Sequence, residues 1–470
     1  MPDPVSALPP ILQKALPGRE QHTLRLVHSP PIGRLYPGLL NNSPGYRVSI
    51  PLSPPISDRL LVLLGACDRH NLGDLLMPEL LTRLLGREHA PTIAGLVTAD
   101  LREAGGSKVE AFPALSNAWR NQASAQPPII IHFGGETLGC SLSDGYAMTL
   151  DPSARSRFLQ MLREAPSQAA AEMRSATGLN ASFAYLASSG NLPVSSICAH
   201  HAVGLAQPGE LSPSARKALL RNLESSLFLG VRGEKGADFL EKSGLPVHRM
   251  PCVVTALPWL CGDDIAARGP LVDLRERFPK GWIAVQISAY RKKLYAPTAR
   301  ALGDFARTRG LGVVFFAAGT ATGHDDPSSM ERLALSLPEG TGHFLRSRHI
   351  WDLAGVVTGA EMFCGTSLHG RILAMAAGIP RLSLAARFAK IHSYCQLWEH
   401  PDLPVEVSPE ALPRLLPLLE GQDRALLRRH ARWLAQRYLN AFTLMAKVCG
   451  LPTATLPSPL TTSHPLAPRG

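Results

Sequence analysis

Short apolar runs rich in β-branched residues alternate along the chain with longer stretches in which apolar residues recur at helical spacing. Residues 59–66 predict a strand and 75–85 an amphipathic helix. Strands follow over 128–133 and 194–198, and then a helix over 214–224. The segment LFLGVRGEKGADFLEKSG reads as a strand that ends at Arg232, with a helix beginning near Glu234. A second series has strands at 282–287, 312–317 and 362–364, the last followed by a helix over 368–377. Such alternation predicts βαβ units and parallel sheets, one in each half of the chain.

Between the two series, residues 260–280 supply Gly, Pro and charge (CGDDIAARGP) and read as the join. The expected organisation is a Pro-rich N-terminal arm over 1–55, a Rossmann-like domain over 56–262 and a second over 263–415. A basic amphipathic helix over 416–450 and a Pro-rich tail over 451–470 complete it. The fold class is therefore α/β, with two Rossmann-like domains whose parallel sheets face each other across a cleft. In open α/β sheets ligands bind beyond the carboxyl ends of the strands, so residues just after the strands are the candidates.

Four segments meet that condition. After the first strand, NLGD places Asn71, Gly73 and Asp74 at a strand-to-helix turn, where free backbone amides suit an anion and where Asn71 or Asp74 equally suits a simple helix cap. PPIIIHF runs into GGETLG, in which Gly134 and Gly135 permit either a sharp turn or close approach of a ligand to the backbone. Arg232 stands where a planar fork can hold a carboxylate or phosphate, although an arginine in that position also serves as an ordinary surface ion-pair partner. The segment GTSLHGRILAMAAGIP sets Thr366 or Ser367 as a helix cap and His369 in the first helical turn. The positive end of that helix disfavours imidazolium until an anion is bound, a setting suited to general acid work; a packed histidine near a helix start is the plainer alternative.

Charge and composition narrow the classes. There are 48 Lys plus Arg against 37 Asp plus Glu, giving +11, so the partners are expected to be anionic. No zinc-finger spacing or ribonucleoprotein motif accompanies the charge, and nucleic acid is not expected. The eight cysteines form no CxxC pair and read as reduced core thiols. The histidines lack carboxylate and cysteine neighbours at ligand spacing, and no metal is expected. The N-terminus has neither the basic start nor the apolar stretch of a secretory signal, and no run of about 18 apolar residues occurs, which predicts a cytoplasmic protein. DRALLRRHARWLAQRYLNAFTLMAKV gathers Arg428, Arg429, Arg432 and Arg437 near Trp433 and Leu434. It suits peripheral contact with the inner membrane surface, or a last helix packed back on the body.

Taken in order, NLGD, GGETLG, the strand leading to Arg232 and GTSLHGRILAMAAGIP resemble the polysaccharide pyruvyl transferase family over roughly residues 60–397. The last block is the most specific: Leu368, His369, Gly378 and Pro380 match the family's Leu-His, small-residue helix and Gly-x-Pro, and Lys390 falls where the family tends to have lysine. The resemblance implies an architecture like the two-Rossmann-domain (GT-B) glycosyltransferases, with phosphoenolpyruvate as co-substrate and no further cofactor. It also implies a ketal-linked pyruvate placed on a sugar of a cell-surface glycan or its lipid-linked precursor. By the same resemblance Arg232 would bind the donor's phosphate or carboxylate and His369 would protonate its enol methylene. The family's arginine before Leu-His is Ser367 here. Arg371 and Lys390 are candidates to replace that charge, although positions 369 and 371 point about 200° apart on a helix. A glycosyltransferase of the same shape using a nucleotide sugar, and a catalytically silent binding protein, are the competing expectations.

Overall fold

The computed structural model describes residues 59–451, except 87–89, 122–127, 188–191, 193–195 and 385–387, together with residue 459. The arm expected over 1–55 and nearly all of the tail expected over 451–470 lie outside the described residues.

The first sheet is built from β1 (Leu61–Leu64), β2 (Thr92–Gly95), β3 (Ala99–Asp100), β4 (Lys108–Ala111), β5 (Ile129–Phe133), β6 (Ile197–Val203), β7 (Phe228–Val231) and β8 (His248–Arg249). Its order is β3-β4-β2-β1-β5-β6-β7-β8, parallel throughout apart from the β3/β4 pair. The second sheet comprises β9 (Trp282–Gln286), β10 (Gly312–Phe315), β11 (Gly342–Phe344), β12 (Met362–Gly365), β13 (Arg381–Leu384) and β14 (Glu406–Val407). It runs β11-β10-β9-β12-β13-β14 with every pair parallel. The central strands are buried from end to end, which is why they read as continuous apolar runs rather than alternating ones.

Chain order reverses at β1 in the first sheet, with β2 on one side and β5 on the other. In the second sheet it reverses at β9, between β10 and β12. Crevices open at such switch points, and the two crevices face each other. The architecture is thus the expected α/β one, two Rossmann-like domains across a cleft in the GT-B manner.

The join differs from its expectation. Most of 260–280 is folded into two helices, Leu257–Ala266 and Gly269–Arg277, and a domain boundary drawn at 262/263 falls inside the first. Leu257, Cys261, Ile265, Leu271 and Leu274 are buried in a core cluster that also contains residues of both sheets. Burial of these apolar positions outweighs the turn-forming tendency of their Gly and Pro neighbours.

The terminal helix Arg424–Cys449 packs back over the body, against the helix Leu368–Ala377 and against β6 and β7 of the first domain. Leu427, Leu434, Tyr438, Phe442 and Met445 form its buried stripe, and Tyr438 Oη meets His201 Nε2 at 3.0 Å. Arg429 is exposed, whereas Arg428, Arg432 and Arg437 are part-buried, so the basic face is partly covered. Among the described residues no helix is long and apolar enough to cross a membrane.

Candidate functional site

A cavity of about 790 Å³ lies between the two sheets and is lined from both sides. Each domain lines it with residues just past its strand ends. Arg69, Asn71 and Asp74 come after β1, Gly135 and Glu136 after β5, and Arg232 after β7. From the second domain come Gln286 and Ser288 at the end of β9, His324 and Asp325 after β10, and Thr366, Ser367, Leu368 and His369 after β12. Lys390, in the first turn of the helix Ala389–Trp398, comes after β13.

Arg232 and His369 converge. Arg232 Nη1 lies 3.4 Å from His369 Nε2, although 137 residues separate them. Arg232 is 3% exposed, and its other terminal nitrogen donates to Glu136 Oε1 at 2.9 Å. Glu136 is itself held by the Ala206 amide, 2.8 Å from Oε2. An arginine donates and never accepts, so Nε2 of His369 presents its lone pair to Arg232 and any ring proton sits on Nδ1. Enclosure by protein, and then the charges of Arg232 and Lys390, hold the imidazole well below its usual pKa, which favours the neutral ring.

The NLGD turn seats this imidazole. Asn71 is the N-cap of the helix Leu72–Leu85, its Oδ1 accepting from the Gly73 amide at 3.2 Å. Gly73 packs flat against the His369 ring: a Cβ there would lie 1.7 Å from Nδ1. Gly73 is thus required for close packing, not for ligand approach. Asp74 follows in the cavity floor. Burial pushes its carboxyl above the usual range, while Arg69, Arg232 and Lys390 pull it back. Gly134 and Gly135 turn the chain with φ of +35° and +68°. Only Gly135 lines the cavity; a Cβ on Gly134 would meet Met77 Sδ at 1.9 Å. Ser367 caps the histidine-bearing helix by accepting from the Gly370 amide at 3.1 Å, and Thr366 Oγ1 accepts from the Ser288 amide at 2.8 Å.

Arg371 does not supply the charge that Ser367 lacks. It is fully buried away from the cavity, donating to Glu399 (2.6 Å), Ser383 (2.9 Å) and the carbonyls of Val405 (2.8 Å) and Pro404 (2.7 Å). With its fork engaged by these partners it has nothing to offer a ligand. Lys390, the other candidate replacement, is exposed and lines the cavity.

Several cavity residues do not stand out in the sequence. Glu136 sits inside GGETLG and Arg69 two residues before Asn71, each within or beside a candidate turn. His324 and Asp325 lie in GTATGHDD directly after the strand expected over 312–317, where the strand-end rule points. Asp325 accepts from Gln286 Nε2 and the Ala318 amide, both at 2.7 Å, and burial raises its carboxyl to about 6. Burial, then Arg69 and Lys390, lowers His324 to about 4.

Fold and site together define a two-domain α/β protein whose interdomain cleft gathers an arginine, a neutral histidine and a lysine. A model of the family "Polysaccharide pyruvyl transferase" matches residues 71–386, and the chain belongs to that family, which places it among transferases. No curated protein matches the sequence. Solved structures similar to it include an S. aureus MnaA–UDP complex (12% identity, TM-score 0.49, covering 83% of this chain and 96% of that one). Another is the UDP-GlcNAc 2-epimerase from Neisseria meningitidis bound to UDP-GlcNAc (10% identity, TM-score 0.48, 83% and 99%).

Proposed function

We propose that this protein transfers pyruvate from phosphoenolpyruvate to two hydroxyls of a glycan sugar or its lipid-linked precursor, as a ketal. The contact between Arg232 and His369 at one cavity wall carries the reading, joined to family membership. A bound donor brings negative charge beside the imidazole, offsetting Arg232 and Lys390, and His369 takes up a proton. The imidazolium then protonates the methylene carbon, the double bond's electrons forming the new C–H bond and leaving the central carbon electron-poor. One sugar hydroxyl adds there and loses its proton. Phosphate departs with the electrons of its C–O bond, and the second hydroxyl closes the ketal as its proton is lost. Arg232 steadies the phosphate throughout, since a guanidinium holds two oxygens with parallel hydrogen bonds.

The test is incubation of purified protein with phosphoenolpyruvate and carrier-linked sugars, followed by mass. A gain of pyruvate less water, with one phosphate released per transfer, supports the reading. A hexose-sized gain that needs a nucleotide sugar would replace it with glycosyl transfer.

A further inference from the structure

Arg69 is the cavity's other deeply placed guanidinium. Its side chain is 9% exposed and its Nη1 donates to Asp68 Oδ1 at 2.9 Å and to Tyr185 Oη at 2.6 Å. The guanidinium carbon also lies 5.6 Å from the centre of the Tyr185 ring. These contacts clamp one edge of the fork. Asp68 does not depend on that edge alone, because its Oδ2 accepts from the Leu96 amide at 2.7 Å and its Oδ1 from Tyr185 Oη at 3.1 Å. The Nε–H of Arg69, by contrast, is buried with no hydrogen-bond partner. A buried donor without an acceptor is unfavourable unless something else supplies one.

Placement says what that is. Arg69, Arg232 and Lys390 line one cavity and all three act on the Asp74 carboxylate in its floor. Arg232 is committed on one side to Glu136. A guest with two anionic ends, such as a phosphate and a carboxylate, needs a second preorganised fork, and Arg69 is held ready by Asp68 and Tyr185. We infer that Arg69 is a ligand-binding arginine of the cleft, taking the second anionic group of the donor while Arg232 and Lys390 take the first. The assignment of the donor rests on the proposed function; that of an anion does not.

Calorimetric titration of wild type, Arg69→Lys and the double variant Arg69→Ala with Asp68→Asn tests it, with phosphoenolpyruvate, inorganic phosphate and UDP as separate probes. Lysine keeps charge without the fork, and the double variant leaves no orphaned carboxylate. Phosphoenolpyruvate affinity is expected to fall about tenfold in Arg69→Lys and further in the double variant, with the melting temperature of Arg69→Lys held near wild type. Unchanged affinity in both variants overturns the inference, as does loss of the folding transition in both, which would make Arg69 purely structural. If wild type binds UDP and not phosphoenolpyruvate, the donor reading fails and Arg69 is judged on UDP affinity by the same criterion. If wild type binds none of the three probes, both readings fall.

Discussion

In the proposed reaction the tautomer of His369 sets the direction of proton flow. With Nε2 facing the Arg232 donor at 3.4 Å, protonation there waits until a guest's negative charge enters between or beside the two side chains. Donor binding is therefore expected to take up a proton near neutral pH, and affinity for phosphoenolpyruvate to weaken as pH rises. Titrations in buffers of differing ionisation enthalpy measure that uptake, which His369→Ala should abolish. Gly73 makes a second residue-scale case. Gly73→Ala drives a methyl into the imidazole, and transfer should fall by about 100-fold while the protein stays folded, as read by initial rates beside a melting curve. Contiguous motifs singled out Arg232 and His369, and the family resemblance singled out Lys390; all three line the cavity. The cavity residues Glu136, Arg69 and His324 were hidden because a polar residue in a loop looks the same whether it faces a cleft or water.

Among elements, the turn after β1 is fastened to the loop after β10. Leu72 donates its amide to the Ala318 carbonyl at 2.7 Å, and Asn71 pairs with Gly319. His70 is the latch: Nδ1 accepts from the Thr320 amide (3.1 Å) and meets its hydroxyl (3.0 Å), while Nε2 lies 2.7 Å from the Arg348 carbonyl. Those partners require a neutral ring with its proton on Nε2. Burial, and less strongly the charge of Arg348, lowers the His70 pKa, partly opposed by the hydrogen bond to the Arg348 carbonyl. The unfolded chain binds a proton first, so the latch's stabilisation is present above about pH 6.5 and is lost as pH falls. His132, lowered to about 4 by burial under the same rule, contributes ~2 kcal/mol of loss between pH 6.5 and 5. Melting temperature should accordingly drop from pH 7 to 5, and less steeply in His70→Gln.

Element identity was largely legible because central parallel strands bury both faces and read as apolar runs. The strand expected over 194–198 instead spans Ile197–Val203, since His200 and His201 interrupt the apolar signal. Inside, His200 stacks on His132 with ring centres 4.2 Å apart, so burial proceeds with polar residues. Of the four edge strands, β3, β8 and β14 have two residues each and β11 has three, too few for any period to show.

At the scale of the molecule, the second domain is organised around a buried ion triad. Burial alone would raise the Glu399 carboxyl, but Arg381 and Arg371 hold it at about 2. Arg381 Nη2 donates to Glu399 Oε1 at 2.5 Å. Replacing Arg371 with Met should destabilise the protein by about 3–5 kcal/mol, because Glu399 keeps only Arg381 as its cationic partner and the buried carbonyls of Val405 and Pro404 lose their donor, with little change in donor affinity; chemical denaturation and calorimetry separate the two effects. The distant pairing that uses up Arg371 was invisible in GTSLHGR, where it stood two residues from His369. The terminal helix likewise read as amphipathic without showing which body it covers. Its apolar stripe turns inward, and vesicle flotation with anionic lipid tests whether Arg429 and its neighbours still hold a membrane.

The central claim is that the neutral His369, poised against Arg232, becomes the acid that protonates an enol. Running the reaction with phosphoenolpyruvate and acceptor sugar in heavy water reads this at the product. One deuterium in the methyl group of each ketal pyruvate, with turnover lost in His369→Ala while donor binding persists, is the predicted result. A product methyl without deuterium, or full turnover in His369→Ala, would contradict it.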